Sequence, residues 1–527
     1  MEHPDTIRAM ANLAATYYDL EIYKEAEKLE IQVLDARRRI FGVEHPNTIR
    51  ATGNLASTYR NMGKYNEAEK LEIQVLDERK RILGVEHPDT IRAMANLAVT
   101  YHSLGKSPEA EKLEIQVLET RNRVLGVEHP DTITAMGNLA FSYRNLGKYM
   151  EAEKLEIQVL DARKRILGVE HPDTIFAMAN LASTHRNLGK CTEAEKLEIQ
   201  VLDARKRILG VEHPNTILAM GNLAVTYGNM RKYLEAEKLE IQVLETRNRV
   251  LGVEHPDTIT AMGNLAFSCR NLGKYMEAEK LEIQVLDARK RILGVEHPDT
   301  IFTMGNLAST YRNLKKGTEA EKLEIQVLDA RNRIFGVEHP DTIRAMANLA
   351  ITYHSLQKYT EAEKLEIQVL DARKRILGVE HPDTIRAMAN LAVTYKSLKK
   401  YIEAKQLQIQ VLDARKRILG VEHPDTISAM AHLAARYYDL GQYREAEQWE
   451  IQVLDARKRI LGVQHPHTIL AMENLAATLR SLGKYKEAEK LVIQAQKFKN
   501  MVIESAMTNV QEAQVTSIMN FEKKGVY

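Results

Sequence analysis

The segment His-Pro-Asp/Asn-Thr-Ile, or His-Pro-His-Thr-Ile in its last copy, returns with prolines at 4, 46, 88, 130, 172, 214, 256, 298, 340, 382, 424 and 466. The spacing is 42 residues, without one insertion or deletion. A unit of that length cannot bury a hydrophobic face alone, so each must be covered by its neighbour. The repeat therefore predicts one stack over residues 1–500, followed by a short aperiodic tail, 501–527, as a helical extension or disordered segment. Function then belongs to a long surface rather than to one deep pocket.

Within a unit the periodicity is helical twice over. Pro4 suits a first helical turn, where its missing N–H is harmless, and Asp5 favours a helix N-terminus. Ile7, Met10, Leu13, Ala14, Tyr17 and Leu20 keep helical spacing, which a Gly-Lys-Tyr break such as Gly63–Tyr65 then ends. A second helix is expected from about Tyr23 to Ile40. Ala26, Leu29, Val33, Ala36 and Ile40 lie on one flank, with Ile31 and Leu34 on another. Gly42 stands where a left-handed cap is common, and Arg39 follows Asp35 at the favourable i,i+4 spacing. The expected fold is all-α, a right-handed superhelical solenoid of twelve antiparallel helix pairs.

Composition narrows the function classes. Lysine and arginine number 74 against 72 acidic residues, so bulk attraction to nucleic acid or membrane is not indicated. No run of 18 apolar residues and no signal peptide is present. Cys191 and Cys269 each replace a tyrosine found in most other copies, at non-equivalent positions. Neither a disulfide framework nor a metal site follows, and a reducing, cytoplasmic setting is expected.

Asn12-Leu13-Ala14, Tyr17, Leu20, Tyr23, Glu25-Ala26 and Val33-Leu34 fall at the spacing of the tetratricopeptide helix pair. The 42-residue period and the His-Pro-Asp-Thr link resemble the kinesin-light-chain-type subclass, and more closely the near-identical arrays of fungal nucleotide-binding signalling proteins. The resemblance implies a non-enzymatic protein-interaction scaffold without cofactor, whose concave groove takes up partner peptides. It also leaves two alternatives: the sensor or oligomerisation region of a larger nucleotide-dependent signalling protein with an upstream domain, or a cargo adaptor. Met1-Glu2-His3-Pro4 begins inside the link without a capping helix, which fits an upstream domain. One departure stands out. The family usually has an aromatic four residues after the alanine of the second helix, where this chain has Glu30, its equivalents through Glu366, then Gln408, Glu450 and Val492.

Residues 87–212 and 213–338 are two copies of one three-repeat block, so sameness between repeats reflects duplication and differences are more informative. Differences concentrate at positions 8, 15 and 18 of the unit, which with position 11 form one stripe of the first helix. Either that stripe lines the groove or it drifts as any solvent-facing stripe does. On the groove reading the central repeats contribute Phe141, Phe176, Leu218, Phe267 and Phe302 as apolar anchors. Arg144, Arg186, Arg270 and Arg312 would pair with ligand carboxylates. Asn138, Asn180, Asn222, Asn264 and Asn306 would hold a peptide backbone, or else bond adjacent helices. The expected partner is an extended acidic segment with one or two large apolar side chains.

Other motifs carry less. Twelve histidines belong to His-Pro and read as helix-entry residues, one per repeat, too far apart to share a metal. Gly105-Lys106-Ser107 imitates the end of a phosphate loop, but Thr100 occupies the required glycine's place. The carboxylates of the second helices are expected to have solvated i,i+3 and i,i+4 partners, and no nucleophile–base set stands out. Trp449 takes a core leucine's place.

Overall fold

The computed structural model describes residues 3–501; the tail expectation for residues 502–527 lies outside them. Every described repeat is a helix pair, and the described residues contain no strand. The first repeat gives Pro4–Asp19 and Tyr23–Phe41, and the same 16- and 19-residue helices recur to Leu461. After Pro466–Ser481, a last helix starts at 485 and runs to the limit of description. The helices group into two compact units, Met1–Leu272 and Gly273–Tyr527. Inside each unit a second helix packs on the first helix of its own repeat and on that of the next.

The link sequence explains the helix starts. Each His-Pro histidine is extended (His171 φ −66°, ψ 138°) and its Nδ1 accepts the N–H two residues on, at 3.2 Å for Asp173. Proline occupies N1, so one orphan donor is removed and another satisfied. The helix ends use glycine in two different ways. At the turn between helices, φ is near +74° at Gly63, but Glu21, Arg231, Lys315, Gln357 and Lys399 adopt φ of 59–61° at equivalent sites. That left-handed region tolerates side chains at modest cost. After the second helix, Gly42 has φ 81° and ψ 171°, not the left-handed helical cap expected. This region is essentially glycine-only, and every later copy from Gly84 to Gly462 keeps glycine.

The core repeats with the chain. Ile133, Met136, Val159, Leu160, Ile175, Met178, Leu181 and Val201 form part of one cluster in the first unit; Ile385, Met388, Val411, Leu412, Ile427 and Leu433 do the same in the second. Trp449 packs against that second cluster, with Lys416 Nζ 4.9 Å from its ring centroid. Ile40 and its neighbour Phe41 do not join the core. Each is 40% exposed, and the pair recurs at the open end of the second helices, as Ile208 and Leu209 for example.

Polar bonds tie repeat to repeat. The half-buried Arg205 donates from Nη1 to the backbone oxygen of Asn215 in the next repeat (2.8 Å), and Arg37, Arg79 and Arg163 do likewise to Asn47, Asp89 and Asp173. Lys190 reaches back to Glu153 (2.6 Å) and Lys232 to Glu195 (2.9 Å). Where that glutamate becomes Lys405, the following lysine becomes Gln442, and Lys405 Nζ donates to Gln442 Oε1 at 3.2 Å. The expected Asp–Arg pairs at i,i+4 are not what this helix end uses. Arg207 turns instead to Glu170 of the preceding link, 2.7 Å away.

Candidate functional site

Because first helices enter on His-Pro and present the same register, positions 8, 11, 12, 15 and 18 share one face of each first helix. On it Phe141, Phe176, Leu218, Phe267 and Phe302 stand 45–57% exposed. Exposed apolar side chains are ordinary when scattered singly and informative when they gather.

In repeats four and five they meet in a cavity of about 190 Å³. Phe141, Asn138 and Arg144 form one wall and Phe176 and Asn180 the other, with Glu156 and Val159 behind. Gly137 opens the floor, because a Cβ placed there would meet nothing within 4 Å. The Arg144 guanidinium lies 5.7 Å from the Phe141 ring centroid, and Arg270 repeats this over Phe267 at 5.6 Å. Leu218 is exposed on the next first helix, and Phe302 stands exposed in the second unit.

The asparagines divide. Asn138 and Asn264 are exposed, whereas Asn180, Asn222 and Asn306 are half-buried. Arg144 Nη1 lies 3.4 Å from both the backbone oxygen and Oδ1 of Asn180, and Arg186 Nη1 donates to the backbone oxygen of Asn222 at 3.2 Å.

The arginines differ from the sequence expectation. Arg144 Nε is 3.5 Å from Glu156, Arg186 Nη1 is 2.8 Å from Glu198, and Arg312 pairs with Glu324. These carboxylates are the residues standing where the family has an aromatic, and all are buried. Each arginine is thus already engaged by a carboxyl group within its own repeat, with only a small part of its side chain in solvent.

Burial pushes these glutamates upward in pKa. A hydroxyl of the next repeat pulls back against it, Thr184 for Glu156 and Thr226 for Glu198, and the arginine follows as a smaller lowering. Glu30, Glu198, Glu240, Glu366 and Glu450 reach about 7. Glu240 has no cation opposite it, since Gly228 takes the arginine's place. Spacing along one helix suggests solvated carboxylates, and these buried glutamates depart from that expectation. The available signal was a glutamate at a core register in ten repeats, with threonine or serine at position 16 of the repeat that follows each; the one departure at position 16, Arg436, follows Gln408.

One variant of the arrangement places a serine, histidine and glutamate together. Ser142 Oγ lies 2.7 Å and Glu114 Oε1 3.2 Å from the same His102 Nε2, while Nδ1 has no partner. A proton relay needs the carboxylate on the opposite ring nitrogen from the hydroxyl. Ser142 is also fully buried, so this triplet seals the junction of repeats three and four. Among the described residues no group of three His, Cys, Asp or Glu is arranged to hold a metal, and no helix is long and apolar enough to cross a membrane.

Helix pairs of this register, covered by their neighbours and bonded from repeat to repeat, define an α-helical repeat scaffold. Family models described as tetratricopeptide repeat match residues 5–77, 51–123, 131–207, 176–249, 216–291, 257–316, 303–375, 354–408 and 383–459, and a second such model matches 468–495. The chain belongs to the tetratricopeptide repeat family. No curated protein matches it. Among solved structures it is similar to the nearly identical TPR-like repeats of a Podosopora anserina kinesin light chain. One crystal structure is 30% identical and covers 39% of this chain and 97% of that one, with a TM-score of 0.37. Another is 30% identical, covers 40% and 99%, and has the same TM-score of 0.37. BtubC (BKLC) from P. vanneervenii is 19% identical, covers 45% and 94%, and has a TM-score of 0.38.

Proposed function

We propose that the chain is a non-enzymatic scaffold that holds an extended segment of a protein partner along the first helices of its central repeats. A large apolar side chain of the partner seats between Phe141 and Phe176. The cavity they form is the observation that carries the reading: it is open, two aromatic rings face it among polar and charged neighbours such as Arg144 and Arg163, and it is rimmed by Asn138 and Asn180, whose carboxamides can meet a peptide backbone. A desolvated anchor of this kind supplies most of the energy in peptide recognition.

Acidic residues flank the anchor, but the cations that draw them are not those of position 18, which are engaged with buried glutamates. Position 8 supplies them. In the repeat before the anchor, Arg92 is about two-thirds exposed and held by Asp89, three residues earlier. Exposed pairs of that sort contribute little, so a ligand carboxylate can take the guanidinium at small cost.

The test is selection of a randomised peptide library on the full chain, followed by affinity measurement on Phe141→Ser. Serine already occupies this position as Ser57, so the fold tolerates it. The selected peptides should carry a large apolar residue and acidic neighbours, and lose about tenfold or more in affinity on the variant. Peptides without an apolar anchor, or binding that ignores the substitution, would contradict the reading.

A further inference from the structure

Phe176 lines a second cavity on its other side. Pro172, Ile175, Ile208 and Leu209 enclose about 270 Å³ with it, at the link to repeat six. Arg205 borders this space, but its guanidinium is already spent on the backbone oxygen of Asn215. The equivalent cavity in repeat two, about 350 Å³, has a charged rim instead: Arg50, Arg92 and Asp89 surround Ile82 and Leu83. Between the two cavities Phe176 stands for Arg50, Leu218 for Arg92, Asp173 for Asn47 and Asn215 for Asp89, so position 8 removes two cations from this rim and leaves Asp173 on it.

The same substitution frees an acid. In repeat three the position-8 arginine ties up its aspartate, Arg92 to Asp89, as Arg344 does to Asp341. With phenylalanine at 176, Asp173 has no such partner, and its side chain is 61% exposed. His171 Nδ1, 4.0 Å away, accepts the Asp173 N–H and so has no proton there to offer the carboxylate.

We propose that this link cavity is a second subsite for the same ligand, taking a second large apolar side chain with a basic residue beside it that pairs with Asp173. The proposal rests on the anchor reading above and extends it around Phe176, which is the specificity-determining residue shared by both cavities. The two apolar side chains are separated by about one helix width, on the order of 10 Å, or three to four residues of extended chain. The ligand is thereby oriented, with its acidic stretch lying away from Asp173.

Four variants of the full chain test it, with peptides selected from a randomised library as probe. Leu209→Gln acts on the second cavity only, Phe176→Arg restores the residue of Arg50 and Arg92, and Phe141→Ser acts on the first cavity. Leu209→Gln and Phe176→Arg should each weaken the selected peptides about tenfold. Leu209→Gln should have no effect on a peptide whose second apolar residue is changed to serine, and Asp173→Asn should weaken only peptides carrying the basic residue. If Phe141→Ser weakens binding while Leu209→Gln does not, the subsite is wrong and the anchor reading stands. Binding indifferent to Leu209→Gln, Phe176→Arg and Phe141→Ser, or a library yielding no binder, overturns both.

Discussion

Glu240 lies buried where the second helix of repeat six meets Ser268 of the next repeat, with no cation opposite. Burial lifts its carboxyl to about 7, the Ser268 hydroxyl opposes the rise, and the neighbouring Glu237 adds to it. The unfolded chain ionises near the ordinary 4.5, so the native state binds more protons between 4.5 and 7. This group's favourable contribution is therefore complete below about 4.5 and lost as pH rises through 7. Glu240→Gln, which keeps a polar partner for the hydroxyl without charge, should stabilise the chain by on the order of 1–2 kcal/mol at pH 8 and by nearly nothing at pH 4.5. Comparing the two proteins at each pH in urea melts removes the contribution of every other titrating group. An equal difference at both pH values would show that Glu240 is ionised and accommodated throughout.

At the scale of the element, helix boundaries were largely legible, because histidine and proline mark every first-helix start and glycine follows every second helix from Gly42 to Gly462, while glycine marks the turn between them in most copies. The bonds between elements were not. A single repeat shows which residues are four apart on its own helix, but not which residue of the next repeat faces them, and near-identical copies remove the variation that would reveal it. Lys405 with Gln442 is an exception visible in the sequence, once the pairing is known. The exposed stripe and its aromatics were legible in the same way, whereas the engagement of Arg144, Arg186 and Arg312 with buried glutamates depended on packing. Arg205 and Arg207 separate the two kinds of inter-repeat bond. Arg205→Met leaves the Asn215 carbonyl without its donor and should cost about 1–3 kcal/mol in denaturant titrations. Arg207→Ala removes an exposed pair with Glu170, both side chains 60% or more in solvent, and should cost less than about 1 kcal/mol. Equal costs would mean that the half-buried bond is no stronger a staple than the surface one.

For the whole molecule, stability is a sum of repeat and neighbour contributions, so it should grow with the number of repeats. A fragment of repeats four to six, residues 129–254, should melt well below the full chain in a thermal scan; equal melting points would contradict the additive picture. Function follows the opposite rule, because duplication supplies many similar faces and only the departures from the common pattern single out a site. Those departures gather in the central repeats, where phenylalanine and leucine replace arginine and small residues. The most direct measurement is amide hydrogen exchange on the full chain with and without a library-selected peptide. Added protection should centre on Pro130–Asn145 and Pro172–Asn187, the first helices that carry Phe141 and Phe176. Protection confined to the second helices, or spread evenly over all repeats, would contradict the assignment of the binding face.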